Sequence, residues 1–181
     1  SPIDWKTREG WLAAYGIELS LPIQMGRDFA GDVVAVGGNV TDFQVGDAVY
    51  GCVGELDRGS YADYIAVRPG EIARKPATID YDAAASIPHS GEAAWQTLIE
   101  AGRLAPGQTV LIHAAAGGVG SLAVQIAKAQ GAYVIGTCSE PNMEFVRSLG
   151  ADEVIDYNNT RFEDLAHDVD VVLDTMGGDT Q

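Results

Sequence analysis

Thr109-Val110-Leu111-Ile112-His113 runs into Ala114-Ala115-Ala116-Gly117-Gly118-Val119-Gly120, and that into Ser121-Leu122-Ala123-Val124-Gln125-Ile126-Ala127-Lys128-Ala129-Gln130-Gly131. The first run is short, apolar and β-branched, as a buried strand is. The last is rich in helix formers, carries apolar residues at Leu122, Val124, Ile126 and Ala127, and stops at Gly131. Between them lies a turn of small residues. It fits G-x-G-x-x-G with Ala115 standing for the first glycine, then Gly117 and Gly120. Small residues let the chain turn tightly, let its backbone approach a pyrophosphate, and let the helix pack near the strand. The phosphates would face the unpaired N–H groups and positive dipole end of the helix. Ala115, Gly117, Gly118, Val119 and Gly120 are therefore candidate dinucleotide-binding residues, flanked by strand and helix as such a site requires.

Downstream the pattern repeats. Tyr133 to Cys138 reads as a second strand, Pro141 to Leu149 as a short helix closed by Gly150, Glu153 to Asp156 as a third strand and Asp170 to Asp174 as a fourth. Strand–helix alternation at this spacing predicts right-handed βαβ units and a parallel sheet. A doubly wound dinucleotide fold has about six strands in the order 3-2-1-4-5-6. The chain stops after the fourth, so it reads as a fragment.

Upstream the texture differs. Residues 1–20 are mixed and partly helical in character, with Pro2 arguing against a central strand. Phe29 to Val36, Asp47 to Val53, Ser60 to Val67 and Ile72 to Lys75 read as short strands between Gly-rich turns, which predicts a small β-barrel or sandwich. Asp80 and Asp82 are candidate N-caps for Ala83-Ala84-Ala85; Pro88 interrupts, and Ser90 to Ala101 forms the next helix, with Ser90 a candidate cap and Gly102 its stop. The boundary between the two halves falls near residues 76–92.

Composition narrows the function classes. The 181 residues carry 11 basic and 26 acidic side chains, a formal charge of −15. Such a surface repels nucleic acid and anionic membranes, so neither is an expected partner. The two cysteines, Cys52 and Cys138, make neither a disulfide framework nor a metal knuckle, and fit a reducing, cytoplasmic setting. No apolar run is long enough to span a bilayer.

Pro2-Ile3-Asp4-Trp5-Lys6, Gly26-Arg27-Asp28-Phe29-Ala30-Gly31, Gly46-Asp47-Ala48-Val49-Tyr50-Gly51, Gly59-Ser60-Tyr61-Ala62-Asp63-Tyr64, Ala114 to Gly120 and Leu149-Gly150-Ala151-Asp152 occur in this order along nearly the whole chain. In these stretches the chain resembles the medium-chain dehydrogenase/reductase superfamily, and within it the zinc-free quinone-oxidoreductase and enoyl-reductase branch. The resemblance implies an α/β plus β architecture. A GroES-like β-barrel catalytic domain over residues 1–85 would precede an incomplete doubly wound, Rossmann-type NADP-binding domain over residues 86–181. It also implies that roughly thirty residues before Ser1 and roughly a hundred or more after Gln181 belong to the complete protein; a homodimer is a candidate assembly of the full-length protein, since dimers of this superfamily often pair through late strands absent here.

Zinc members of the superfamily hold catalytic metal through Cys, His and Cys, and the resemblance places Ser1, Arg27 and His89 at those positions. Arginine stays protonated and cannot ligate, serine is a poor zinc ligand, and one histidine cannot hold the ion. No metal is expected. Without a Lewis acid, the accessible chemistry is hydride addition to a quinone or an α,β-unsaturated carbonyl, with hydrogen-bond donors meeting the negative charge on oxygen. Lys6, Arg27 and His89 are the candidate donors, with Tyr15 behind them. Competing structural roles are an ion pair of Arg27 with Asp28 or Asp4, a solvated Lys6, and a capping His89.

NAD sites carry Asp or Glu at the end of the second strand to bond the ribose 2′-OH. Here that place reads Thr137-Cys138-Ser139, with no carboxylate before Glu140. Ser139 therefore points to NADP. In the related family a cation follows a few residues on; Asn142 stands there, with Arg147 further along, and Tyr157 resembles the family's aromatic beside the adenosine phosphate. The expected function is an NADPH-dependent oxidoreductase acting on a small quinone or enone. Its alternatives are an enoyl-reductase module of a polyketide or fatty-acid synthase, and a non-catalytic dinucleotide-binding sensor.

Overall fold

Strands in the first half form wherever apolar residues find a backbone partner. A computed structural model describes residues 2–54 and 58–177, and the chain divides into one unit over residues 1–89 and another over 90–181. In the first unit, helix α1 (Pro2–Arg8) leads through a 3-10 turn (Trp11–Tyr15) to strand β1 (Asp28–Asp32). β1 pairs antiparallel with β2 (Ala48–Cys52), placing Asp28 opposite Cys52, and β2 pairs antiparallel with β3 (Ile72–Arg74). Gly51 sits at the middle of this sheet because a Cβ there would stand 2.1 Å from the Glu71 carbonyl oxygen.

The sheet is smaller than the sequence predicts. Residues 33–36 and 60–67 are not strand. The first run, Val33-Val34-Ala35-Val36, is wholly apolar and the second alternates in part; both suit a pleated surface, but a strand exists only where a neighbour completes the ladder. At Ser60 and Tyr61 the backbone N–H groups turn instead to Gly26 O (3.2 Å) and Met25 O (2.9 Å). Beside the sheet lies a cavity of about 780 Å³ whose lining includes Phe29, Val33, Val49, Ile65 and Ile72.

Asp80 caps helix α2 (Tyr81–Ala85), its Oδ1 accepting from Ala83 N at 2.8 Å. Helix α3 (Pro88–Trp95) begins two residues before the predicted Ser90, at the proline whose fixed φ suits a first turn. It continues as a π-helical stretch over Gln96–Ala101, and Gly102 ends it.

The second unit is the better-packed one. Strands β4 (Thr109–Ile112), β5 (Tyr133–Cys138), β6 (Glu153–Asp156) and β7 (Val171–Leu173) lie parallel in the order β6-β5-β4-β7. That is the 3-2-1-4 part of the doubly wound order. Helix α4 (Gly118–Ala129) returns the chain from β4 to β5, and α5 (Met143–Ser148) from β5 to β6. One core cluster packs Val110, Ile112, Val124, Val134 and Val146 together, all fully buried. The alternate strand residues Leu111, Ile135 and Ile155 face the other way, against Phe162, Ala166 and Val169. Period-two alternation across a sheet covered on both faces produces this division.

Candidate functional site

The phosphate-type turn is assembled at the carboxyl end of β4. Ala115 is fully buried, and its N–H is engaged by Thr137 O at 2.9 Å. Its part in the candidate set is therefore to shape the turn, not to face a ligand. Ala114 takes the left-handed conformation, φ 50°, a strained choice for a residue with a Cβ. Gly117 has φ −77°, which any residue adopts. Glycine is therefore not required there for backbone freedom: Gly117 and Gly118 are exposed, and a Cβ on Gly117 would meet only Ala114 O, at 3.1 Å. Gly120 is different. A Cβ there would lie 2.2 Å from Ala114 O and 2.8 Å from Ala115 Cα, so it must be glycine for α4 to pack on β4.

Among the described residues no side chain caps α4. The first helical bond runs from Ser121 N to Gly117 O, 2.8 Å, so Gly118, Val119 and Gly120 carry the N–H groups that precede the helical ladder. An uncapped helix start with exposed glycines suits an anion with several oxygens.

At the ends of the next two strands the remaining cofactor candidates come together. Ser139 follows β5, and its Oγ accepts from Asn142 Nδ2 at 3.1 Å. Tyr157 follows β6, is mostly exposed, and its N–H bonds Cys138 O at 3.3 Å. Burial, and the Asp156 charge behind it, push the Cys138 thiol up, while Arg147 pulls it down; the Arg147 cation thus acts on this corner.

Beneath the turn lies a group that no sequence pattern singles out. His113 is buried, with Nδ1 3.0 Å from Thr137 Oγ1 and its ring edge-on to Phe162 at 4.7 Å. Its Nε2 has no hydrogen-bond partner among the described residues. Burial pushes its pKa down, against an opposing pull from Asp174 and Glu163, so the ring is neutral at pH 7.

The catalytic candidates separate. Arg27, just before β1, donates from Nη1 to Val53 O at 2.9 Å, while Val53 N donates to Arg27 O at 3.0 Å. His89 N–H donates to Asp28 Oδ1 at 2.6 Å, so Asp28 caps the start of α3 and His89 is the capped residue. Cys52 Sγ lies 3.7 Å from His89 Nδ1 and 3.7 Å from Val53 O. One thiol thus joins the two candidates, through contacts remote in sequence. Lys6 stands elsewhere, its ammonium 5.7 Å from the Trp5 ring centre and 5.1 Å from that of Trp11. Tyr15 is almost fully exposed.

The donor set does not fit zinc. Ser1 lies outside the described residues, Arg27 is a hydrogen-bond donor, and the described residues contain no group of three or more His, Cys, Asp or Glu placed to hold a metal.

Residues 1–77 match the alcohol dehydrogenase GroES-like domain family and residues 118–181 the zinc-binding dehydrogenase family. The quinone oxidoreductase of Coxiella burnetii superposes with a TM-score of 0.87 at 40% identity, over 99% of this chain and 57% of that one. The Escherichia coli quinone oxidoreductase complexed with NADPH gives 0.84 at 33%, over 99% and 56%. The NADPH-dependent alkenal/one oxidoreductase of Arabidopsis thaliana is 42% identical over 98% of this chain and 47% of its own length. The chain belongs to the medium-chain dehydrogenase/reductase superfamily, in its zinc-free quinone-oxidoreductase branch. It combines a GroES-like domain with a Rossmann-type domain for a nicotinamide dinucleotide, and spans about half the length of the curated relatives it matches.

Proposed function

We propose that the complete protein is an NADPH-dependent, zinc-independent reductase of quinones or α,β-unsaturated carbonyls. The observation that carries this reading is the uncapped start of α4 behind Gly117 and Gly118, in a chain whose relatives include NADPH-dependent oxidoreductases. Gly118, Val119 and Gly120 N–H groups hold the pyrophosphate. Ser139, with Asn142 hydrogen-bonded to it and Tyr157 nearby, receives the adenosine 2′-phosphate, where a carboxylate would repel it.

A reduced nicotinamide, when bound, supplies hydride. The chain's own residues then manage charge. Arg27 and His89 donate hydrogen bonds to the substrate oxygen as negative charge gathers there. His89 Nε2 is free to carry the ring proton when Nδ1 faces the Cys52 thiol. Lys6, held by two indole faces, is a weaker candidate for substrate contact.

The test titrates NADPH and NADH into the full-length protein and follows quinone-dependent NADPH oxidation. Gly117→Val should abolish binding with far-UV circular dichroism intact, because the added side chain projects from an exposed turn. Ser139→Asp should reverse a preference for NADPH through like-charge repulsion. Unchanged NADPH affinity in Gly117→Val would overturn the site, and equal affinities for both cofactors, unaltered by Ser139→Asp, would overturn the choice of NADP.

A further inference from the structure

Among the described residues Cys52 is the thiol that meets both an imidazole and a guanidinium's acceptor. Its Sγ is 3.7 Å from His89 Nδ1, and it shares Val53 O with Arg27, whose Nη1 is 2.9 Å from that oxygen. Antiparallel pairing creates the cluster. Register sets Asp28 opposite Cys52, and the Asp28 carboxylate, by capping His89 N–H, fixes where the imidazole stands. Among the described residues, the charged or titratable groups brought to the sulfur include Arg27 and Asp28 from the β1 side and His89 from α3. Asp28 opposes thiolate formation, but its Oδ1 is engaged by the His89 N–H. Arg27 and a protonated His89 favour it. Cys52 is half-buried, whereas Cys138 is buried and its thiol is pushed up by that burial.

We propose that Cys52 is a nucleophilic thiol, with His89 as its base, that is covalently modified by α,β-unsaturated carbonyl compounds. The thiol proton passes to His89 Nδ1. Sγ bonds the electrophile's β-carbon, the π pair of the C=C bond moves to give the enolate, and the proton is delivered to the α-carbon. The adduct is a thioether, nothing is oxidised or reduced, and no further reactant is needed. The inference takes its electrophile class from the proposed reductase activity, but it needs neither cofactor nor turnover. A protein that reduces enones beside such a thiol would be inactivated by its own substrate when nicotinamide runs short.

The test treats the full-length protein, without cofactor, with methyl vinyl ketone, and measures alkylation of each cysteine by peptide mass spectrometry from about pH 6 to about pH 9. Cys52 should react at least about tenfold faster than Cys138 at neutral pH, with a midpoint below the usual thiol value of about 8.5. His89→Gln keeps a donor near the Nε2 position and removes the basic Nδ1. It should slow Cys52 about tenfold at neutral pH and move its profile up to the ordinary thiol range. Cys52 no faster than Cys138, or a wild-type profile already at the ordinary thiol midpoint, overturns the proposal without any variant; a folded His89→Gln protein with unchanged rate and profile overturns the role of His89. NADPH oxidation by a quinone is read in an untreated portion of the same preparation. Alkylation of Cys52 without such turnover removes the reductase reading alone, and turnover with an inert Cys52 removes this inference alone.

Discussion

His113 shows how one residue can be placed by its neighbours and not by its own chemistry. It occupies the position after β4 where the alternation of the strand points a side chain inward, and it is 3% exposed. Its Nδ1 finds Thr137 Oγ1, while Nε2 finds no acceptor among the described residues, an arrangement a neutral imidazole tolerates and a cation does not. Burial lowers its folded-state pKa below the unfolded value of 6.5. The sign follows from proton linkage. Above that unfolded pKa both states are neutral and the fold keeps its full stability. As pH falls below it, the unfolded chain takes up a proton that the fold refuses, and stability is lost until the folded pKa is passed. Urea midpoints should therefore fall from pH 7.5 to about pH 5 in the wild type, and fall less steeply in His113→Gln. Parallel slopes in the two proteins would show that the ring titrates alike in both states.

Among the elements, the β4–α4 turn separates two uses of glycine. At Gly120 an added Cβ meets backbone atoms that cannot swing aside, Ala114 O at 2.2 Å among them. Gly120→Ala should force α4 away from β4 and cost about 1–3 kcal/mol, as overpacking does. At Gly117 the backbone is extended and a Cβ would crowd only Ala114 O, at 3.1 Å, which must give slightly, so substitution there should cost about 1 kcal/mol or less in stability. Chemical denaturation of the two variants distinguishes the helix-packing glycine from the one proposed to face the pyrophosphate. If Gly117→Val destabilises as much as Gly120→Ala, loss of cofactor binding cannot be assigned to the turn's outer face. Lys128 fastens the same helix to the start of β6: its Nζ is 2.8 Å from Asp152 Oδ2, which also accepts from Val134 N at 2.7 Å. Burial works against ionising Asp152, but the hydrogen bonds from Lys128 and Val134 outweigh it and hold the carboxyl below its usual range.

Over the whole molecule, 26 acidic against 11 basic side chains leave a charge of −15. The described ion pairs are mostly at the surface, and such pairs contribute about 0–1 kcal/mol each. Self-repulsion should therefore outweigh them. Raising ionic strength from about 0.01 M to about 0.15 M shortens the screening length from about 30 Å to about 8 Å. Thermal unfolding should shift upward by about 2–4 °C, the equivalent of roughly 1 kcal/mol for a chain of this size. A downward shift would mean that attractive pairs such as Lys128–Asp152 dominate. The strands and helices of the second unit, the β4–α4 turn and the Asp80 cap were legible in the sequence because each depends on a few adjacent residues: strand period, helix period, a glycine, a carboxylate three places before an N–H; the order of the parallel sheet followed only from the fold that the glycine turn implies. Tertiary structure alone decided the rest. It left residues 60–67 without a strand, since a ladder needs a partner that no local pattern supplies. It gave the left-handed conformation in the turn to Ala114 and left Gly117 extended. And it brought Cys52 to His89 across 37 positions of chain, because antiparallel register and the Asp28 cap, neither written in the residues nearby, determine what stands beside the thiol.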